Sequence, residues 1–217
     1  MRTMRWFIAG VFTTAALSAT ANAQANRYFD DSWFWGVKTG VATFSPTLGP
    51  SETAATYGAE WLITRTHAGL YVSFDQANVS TTSAVFDPTL DGSARPVAVS
   101  KMNRVGFAAL AFPWRFGNVR PYAGLGLSVD LVGSARPMLA ENENNVDDAV
   151  FDRIDESKSQ AAVMAMGGVQ FQVQRAAVFV QASVVPGQSR FLLGDNALGF
   201  FEAGVRYNFG SSRDTSR

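Results

Sequence analysis

Tyr122-Ala123-Gly124-Leu125-Gly126-Leu127-Ser128-Val129-Asp130-Leu131 is the stretch that decides the fold. Ala123, Leu125, Leu127, Val129 and Leu131 fall on one side of an extended chain, and Tyr122, Gly124, Gly126, Ser128 and Asp130 on the other. Successive side chains of a strand point to opposite faces, whereas a helix with one apolar stripe needs spacings of three and four. The alternation therefore predicts a strand whose two faces meet different media.

Seven further segments repeat the rule: 33–44, 56–65, 68–76, 101–114, 160–173, 177–185 and 198–209. In the first, Trp33, Trp35, Val37 and Val41 oppose Gly36, Lys38, Gly40 and Ala42. In the second, Tyr57, Ala59, Trp61 and Ile63 oppose Gly58, Glu60 and Thr64, and in the third Leu70, Val72 and Phe74 oppose Tyr71, Ser73 and Asp75. The fourth alternates Val105, Phe107, Ala109 and Ala111 with Arg104, Gly106 and Ala108, then turns apolar on both faces at Leu110 and Phe112. The connections alternate as well. About 11, 24, 28 and 12 residues separate strands one–two, three–four, five–six and seven–eight, while three short joins, 65–67, 116–119 and 174–176, have hairpin length. An even-stranded up-and-down barrel puts alternate connections on opposite rims, and outer-membrane barrels keep periplasmic turns short and extracellular loops long. The fold class expected is all-β, an eight-stranded antiparallel up-and-down transmembrane β-barrel.

A closed barrel is one of two ways to satisfy backbone polar groups in hydrocarbon, and strands of about 9–11 residues suffice to cross it. The apolar faces carry no charge across their middles, whereas the opposite faces carry Lys38, Glu60, Arg104, Asp130, Glu202 and Arg206. Lys or Arg toward lipid at mid-depth costs about 2–4 kcal/mol, so these six are assigned to a polar network in the lumen. Trp33, Trp35, Trp61 and Trp114, with Tyr207 and Phe209, gather near the short-turn rim as an aromatic girdle, and Phe44 and Phe74 are candidates for the outer one.

Arg2 and Arg5, the apolar stretch 6–17 and Ala21-Asn22-Ala23 have the form of a signal peptide over 1–23, too short in its apolar part to span a bilayer. The expected organisation is then a periplasmic N-terminal segment over 24–32, the barrel over 33–209 and a short periplasmic tail over 210–217, in the outer membrane of a Gram-negative-type bacterium. The chain has no cysteine, which excludes disulfides, thiolate nucleophiles and Cys-ligated metals. Without Arg2 and Arg5, 16 basic residues face 18 acidic ones with no basic stripe, which argues against nucleic acid as a partner.

Two motifs carry a family resemblance. Val119-Arg120-Pro121-Tyr122-Ala123-Gly124-Leu125-Gly126 resembles a strand opening common in the OmpA transmembrane domain, OmpX and opacity-protein families. Glu202-Ala203-Gly204-Val205-Arg206-Tyr207-Asn208-Phe209 is similar to the C-terminal signal read by the barrel-assembly machinery, with Gly204, Tyr207 and Phe209 at its defining positions. The tail 210–217 departs from the family pattern, in which the aromatic residue usually ends the chain. The resemblance implies a barrel inserted by that machinery with periplasmic chaperones, surrounded by outer-membrane lipids and lipopolysaccharide.

For function the leading expectation is a non-enzymatic envelope protein with no cofactor and no metal, acting structurally or through its outer loops. A narrow channel or conduit for small apolar solutes is the alternative, favoured by an open, dry lumen near Leu110, Met164, Met166 and Phe179. A lipid A-modifying enzyme ranks below both, because His67, the only histidine, falls in a short turn rather than toward the outer leaflet. The acidic segment 133–158 lacks the spacing of an EF-hand and reads as a solvated loop. A secreted soluble barrel would turn the apolar faces inward.

Overall fold

The computed structural model describes residues 29–90, 93–140 and 143–211; the signal peptide read over 1–23, residues 24–28 and the tail beyond Ser211 lie outside them. Its strands are β1 (Ser32–Phe44), β2 (Glu52–Thr64), β3 (Ala68–Ala77), β4 (Thr81–Phe86), β5 (Ala94–Ala111), β6 (Val119–Pro137), β7 (Ser159–Val173), β8 (Ala176–Val185) and β9 (Leu198–Ser211), with one helix, α1 (Asp148–Ser157), before β7. Every neighbouring pair is antiparallel, and β3 and β4 both pair with β5, so they form one stave interrupted at 78–80. The β1–β9 pairing closes the ring at eight staves.

The alternation seen in the sequence becomes an inside and an outside. Leu125 and Leu127 are 67% and 60% exposed, while Ser128 and Asp130 are fully buried. Val37, Leu70, Phe74, Phe107, Val163, Val178 and Phe201 are likewise exposed, and Lys38, Glu60, Asp75, Gln170 and Glu202 are enclosed. A protein folded for water has the opposite distribution. This exterior matches a barrel whose surrounding solvent is hydrocarbon, with its sheet edges removed by closure.

The wall is taller on one side than the periodicity suggested. β5 has 18 residues and β6 has 19, against about 9–11 needed to cross a bilayer. With β4 they rise beyond the rim as a three-stranded flap, so most of the expected 24-residue connection between strands three and four is strand. The cause is a β-bulge. The register shifts on both sides of Lys101, and inward residues change parity from Arg95, Val97 and Val99 above to Met102, Arg104, Gly106, Ala108 and Leu110 below. A single period of two cannot pass through that step, which is why the strand read from the sequence stopped at 101.

The acidic segment also holds structure. Asp147 caps α1, its carboxylate accepting from the Ala149 N–H at 3.0 Å, Asp148 sits in the first turn, and Val150 and Ile154, one helical turn apart, are buried. Their contacts are with the flap and the upper β7. A hydrophobic layer of Val85, Val97, Val132, Val150, Ile154 and Phe191-Leu192-Leu193 thus lies over the long-loop end of the lumen. Phe44 belongs to this interior, 1% exposed, and not to an outer girdle; it lies on the same parity as Lys38 and Ala42, and the lumen is apolar at this height.

Candidate functional site

The lumen is layered. At the short-turn end Phe29, Phe34, Leu62, Phe112 and Tyr122 fill it, with Phe29 edge-on to Phe112 at 4.9 Å and the Arg120 guanidinium 3.7 Å above the Phe29 ring. At the other end stands the apolar cap. Charged and amide side chains occupy the middle.

Lys38 uses its three donors on three acceptors, Tyr71 Oη at 3.0 Å, Asp75 Oδ2 at 3.0 Å and Glu202 Oε2 at 2.8 Å. Arg206 donates through Nε to Glu60 Oε1 and through Nη1 to Gln170 Oε1 at 2.8 Å. Gln181 joins the two clusters. Its amide donates to Tyr71 Oη at 2.9 Å and Glu202 Oε2 at 3.1 Å, and its carbonyl accepts from Tyr122 Oη at 2.9 Å and Arg206 Nη2 at 3.2 Å. A third cluster lies nearer the cap: Arg104 donates to Ser183 Oγ at 3.1 Å and stands 3.9 Å from Asp130, which Ser128 and Gln160 also hold.

The six charged residues assigned to the lumen from sequence are all enclosed, in three ion-pair clusters. Asp75, Tyr71, Tyr122, Gln170 and Gln181 complete the network. Asp75, Tyr71 and Tyr122 lie on the polar faces read from the sequence, and the neutral Gln170 and Gln181 join them because their strands turn the same parity inward. Three cations, Lys38, Arg104 and Arg206, therefore face four carboxylates, Glu60, Asp75, Asp130 and Glu202. Met164, Met166, Phe179 and Leu110 are no open passage: the Arg206 guanidinium lies 3.9 Å over the Phe179 ring, and Arg104 reaches the Met164 sulfur. The small Gly204, paired with Lys38, makes this packing possible, since a Cβ there would fall 2.7 Å from Phe179 Cζ and 2.9 Å from Lys38 Cβ.

A separate cluster, centred on Arg95, clasps the flap to the segment that carries Glu143. Arg95, fully buried, donates through Nε to Asp87 at 2.5 Å and through Nη1 and Nη2 to the two oxygens of Glu143 at 2.6 and 2.7 Å. It is a bidentate pair of the strong class. The Thr89 hydroxyl and N–H, with Arg95, hold the Asp87 carboxyl down at about 2. Arg95 and the Ala140 N–H hold Glu143 below its ordinary value. A carboxylate depressed in the folded state stabilises above its unfolded value, about 4, and stops doing so as pH falls through the folded one. Amide protection of the flap, corrected for intrinsic exchange, should therefore hold from pH 7 to 5 and fall between pH 4 and 2. The Arg95→Gln variant should show a smaller step, because Glu143 loses its main partner while Thr89 still holds Asp87. Equal protection at pH 2.5 and 5 in the native protein would rule the cluster out as the clasp.

No protein-family profile and no curated protein sequence matches the chain. Among solved structures it is similar to Neisserial surface protein A, with a TM-score of 0.55 and 15% identity over 82% of this chain and 97% of that one. The fold is that of the small eight-stranded outer-membrane barrels. The Ail attachment invasion locus protein of Yersinia pestis matches with a TM-score of 0.49, at 12% identity over 83% of this chain and all of that one. OprG from Pseudomonas aeruginosa matches at 0.43, with 13% identity over 85% and 99% of the two chains.

On this outer-membrane barrel fold the aromatic residues fall on the outer face near the short turns. Trp61 stacks on Trp35 at 5.6 Å and meets Trp33 edge-on at 5.5 Å, and Tyr207 meets Phe209 edge-on at 5.2 Å. Trp114 is 65% exposed in the turn after β5. His67, exposed in the β2–β3 turn, shares a cavity of about 210 Å³ with Asp30, Trp114, Arg115 and Arg120, at the rim opposite the flap.

Proposed function

We propose that this protein is a non-enzymatic integral barrel of a bacterial outer membrane, a structural and surface-contact element presenting its flap, α1 and long loops outside the cell. One observation carries the reading: an apolar exterior surrounds a lumen packed with the chain's own side chains at both ends and cross-linked in the middle. Eight strands enclose an interior just wide enough for side chains to fill. The likeness to a Neisseria protein named for its place at the surface supports the same reading. Function then resides in loops held on a rigid scaffold. Membrane lipids and lipopolysaccharide are its surroundings, and Gly204, Tyr207 and Phe209 address it to the barrel-assembly machinery and its chaperones.

The test has two parts. Detergent-extracted protein should migrate differently on a gel before and after boiling, and the same folded material should give no resolved conductance steps in a planar bilayer. Identical migration would return the chain to the soluble class, and reproducible steps would replace the structural reading with a narrow channel. Lipid A mass spectra should be the same with and without the protein, since the only histidine stands at the short-turn rim.

A further inference from the structure

Two cations on the outer face of the flap have no counterpart in the lumen or the clasp. Lys38, Arg95, Arg104 and Arg206 are each engaged by a carboxylate. Lys101 and Arg136 make no hydrogen bond or ion pair with any described residue, and both are exposed. Strand register brings them together. Thr82, Ala98 and Arg136 form one outward row across β4, β5 and β6, and Lys101 pairs with Ser134 in the adjacent step, at the bulge.

Beside the bulge lies a groove of about 500 Å³ lined by Ser80, Thr82, Ala98, Ser100, Ser134 and Arg136; Lys101, which follows Ser100 and pairs with Ser134, stands at its edge and not in its lining. Its height matters. Immediately toward the membrane on β6 come Gly133 and then the outward Leu131, Val129 and Leu127, the upper part of the apolar band. The Lys101 stem lies across Gly133, where a Cβ would meet its Cδ at 3.2 Å and Cγ at 3.3 Å. A stem laid on the sheet just above the band is the arrangement of a lysine that keeps its charge at a lipid headgroup.

We propose that this groove binds the phosphorylated sugar headgroup of an outer-leaflet glycolipid of the lipid A class. Arg136 and Lys101 take the phosphate, the serine and threonine hydroxyls take the sugar, and the acyl chains run down Leu131, Val129 and Leu127. Arginine offers a planar fork to phosphate oxygens and lysine a point charge, so the pair suits a phosphomonoester. The proposal rests on the outer-membrane reading above and adds a ligand to it.

The full chain, folded in detergent micelles, is mixed with bisphosphorylated hexa-acyl lipid A or with the same lipid after removal of its phosphates, and retained lipid is counted by native mass spectrometry. Retention of the phosphorylated form should exceed the other by about tenfold, the scale of a charge-assisted contact, and the Lys101→Gln/Arg136→Gln variant should lose that preference. Both residues are exposed, so heat-modifiable migration should be unchanged in the variant. Equal retention by variant and native protein, or of both lipids, overturns the site. So does displacement by millimolar inorganic phosphate or by a sulfated oligosaccharide, which would give the groove to a soluble anion. Loss of heat-modifiability in the native protein would instead strike the membrane reading.

Discussion

Replacing Lys38 by Met should cost the folded barrel about 3–5 kcal/mol, the range for removing one partner of a buried ion pair. Met keeps most of the length of the side chain and fills similar space, so the loss isolates charge. Among the described residues Lys38 is the only cation paired with both Asp75 and Glu202, and each of these is 2% exposed or less. Without the ammonium two carboxylates share an enclosed space with Tyr71, Ser73 and Gln181 as hydrogen-bond donors and Arg104 as the cross-strand neighbour of Asp75. Neutralising the anions should therefore restore stability: Lys38→Met/Asp75→Asn/Glu202→Gln should recover most of the deficit, because a fully neutral interior avoids the desolvation of three ions. Urea unfolding in lipid vesicles, followed by tryptophan emission and gel migration, measures both. A single variant within about 1 kcal/mol of the native protein, or a triple variant no better than the single, would show that the network fills space without holding charge.

The same cycle at Arg206 has a different expected shape. Arg206 pairs with one carboxylate, Glu60, and its remaining donors go to neutral groups, Gln170, Gln181 and Tyr122. Arg206→Met/Glu60→Gln leaves amides and a phenol that can bond one another, so its residual deficit should be small. Two of the three electrostatic units of the lumen, those of Lys38 and Arg206, are thus tied by Gln181, and their coupling is a measurable quantity.

Much of this is legible in the sequence, for a reason specific to barrels. Each stave carries its own inside–outside code, and 122–131 reads it without error, with Leu125 and Leu127 outward and Asp130 inward. Legibility failed where the code changes phase or medium. At Lys101 the bulge shifts parity, and above it both faces of the flap meet protein or water, so the contrast that marks a lipid-facing strand disappears. Phe44 has the chemistry of a girdle residue but the parity of the lumen, and parity prevails because it is set by the backbone. The Arg95 clasp was invisible because its partners Asp87 and Glu143 lie in separate segments, 8 and 48 residues away. Spacing along the chain carries no trace of that meeting.

Leu127→Arg should cost about 2–4 kcal/mol of stability in a bilayer, and the size of the effect should depend on depth. Leu127 is 60% exposed and lies between the outward Phe107 and Val163, well inside the apolar band, whereas Leu131 is nearer the groove and its cations. The charge at 131 can lift its head past Gly133 toward the aqueous side; the charge at 127 has farther to reach. Leu131→Arg should therefore fall in the about 0–1 kcal/mol range of interfacial positions. Leu127→Ala supplies the control, since it removes outward bulk without introducing charge. If the surrounding medium were water, arginine at either position would be a surface substitution, within about 0.5 kcal/mol of the native protein. Equal small effects at 127 and 131 would therefore contradict the orientation of the whole wall. A steep difference between two residues of one face, four apart on β6, requires a hydrocarbon boundary between them.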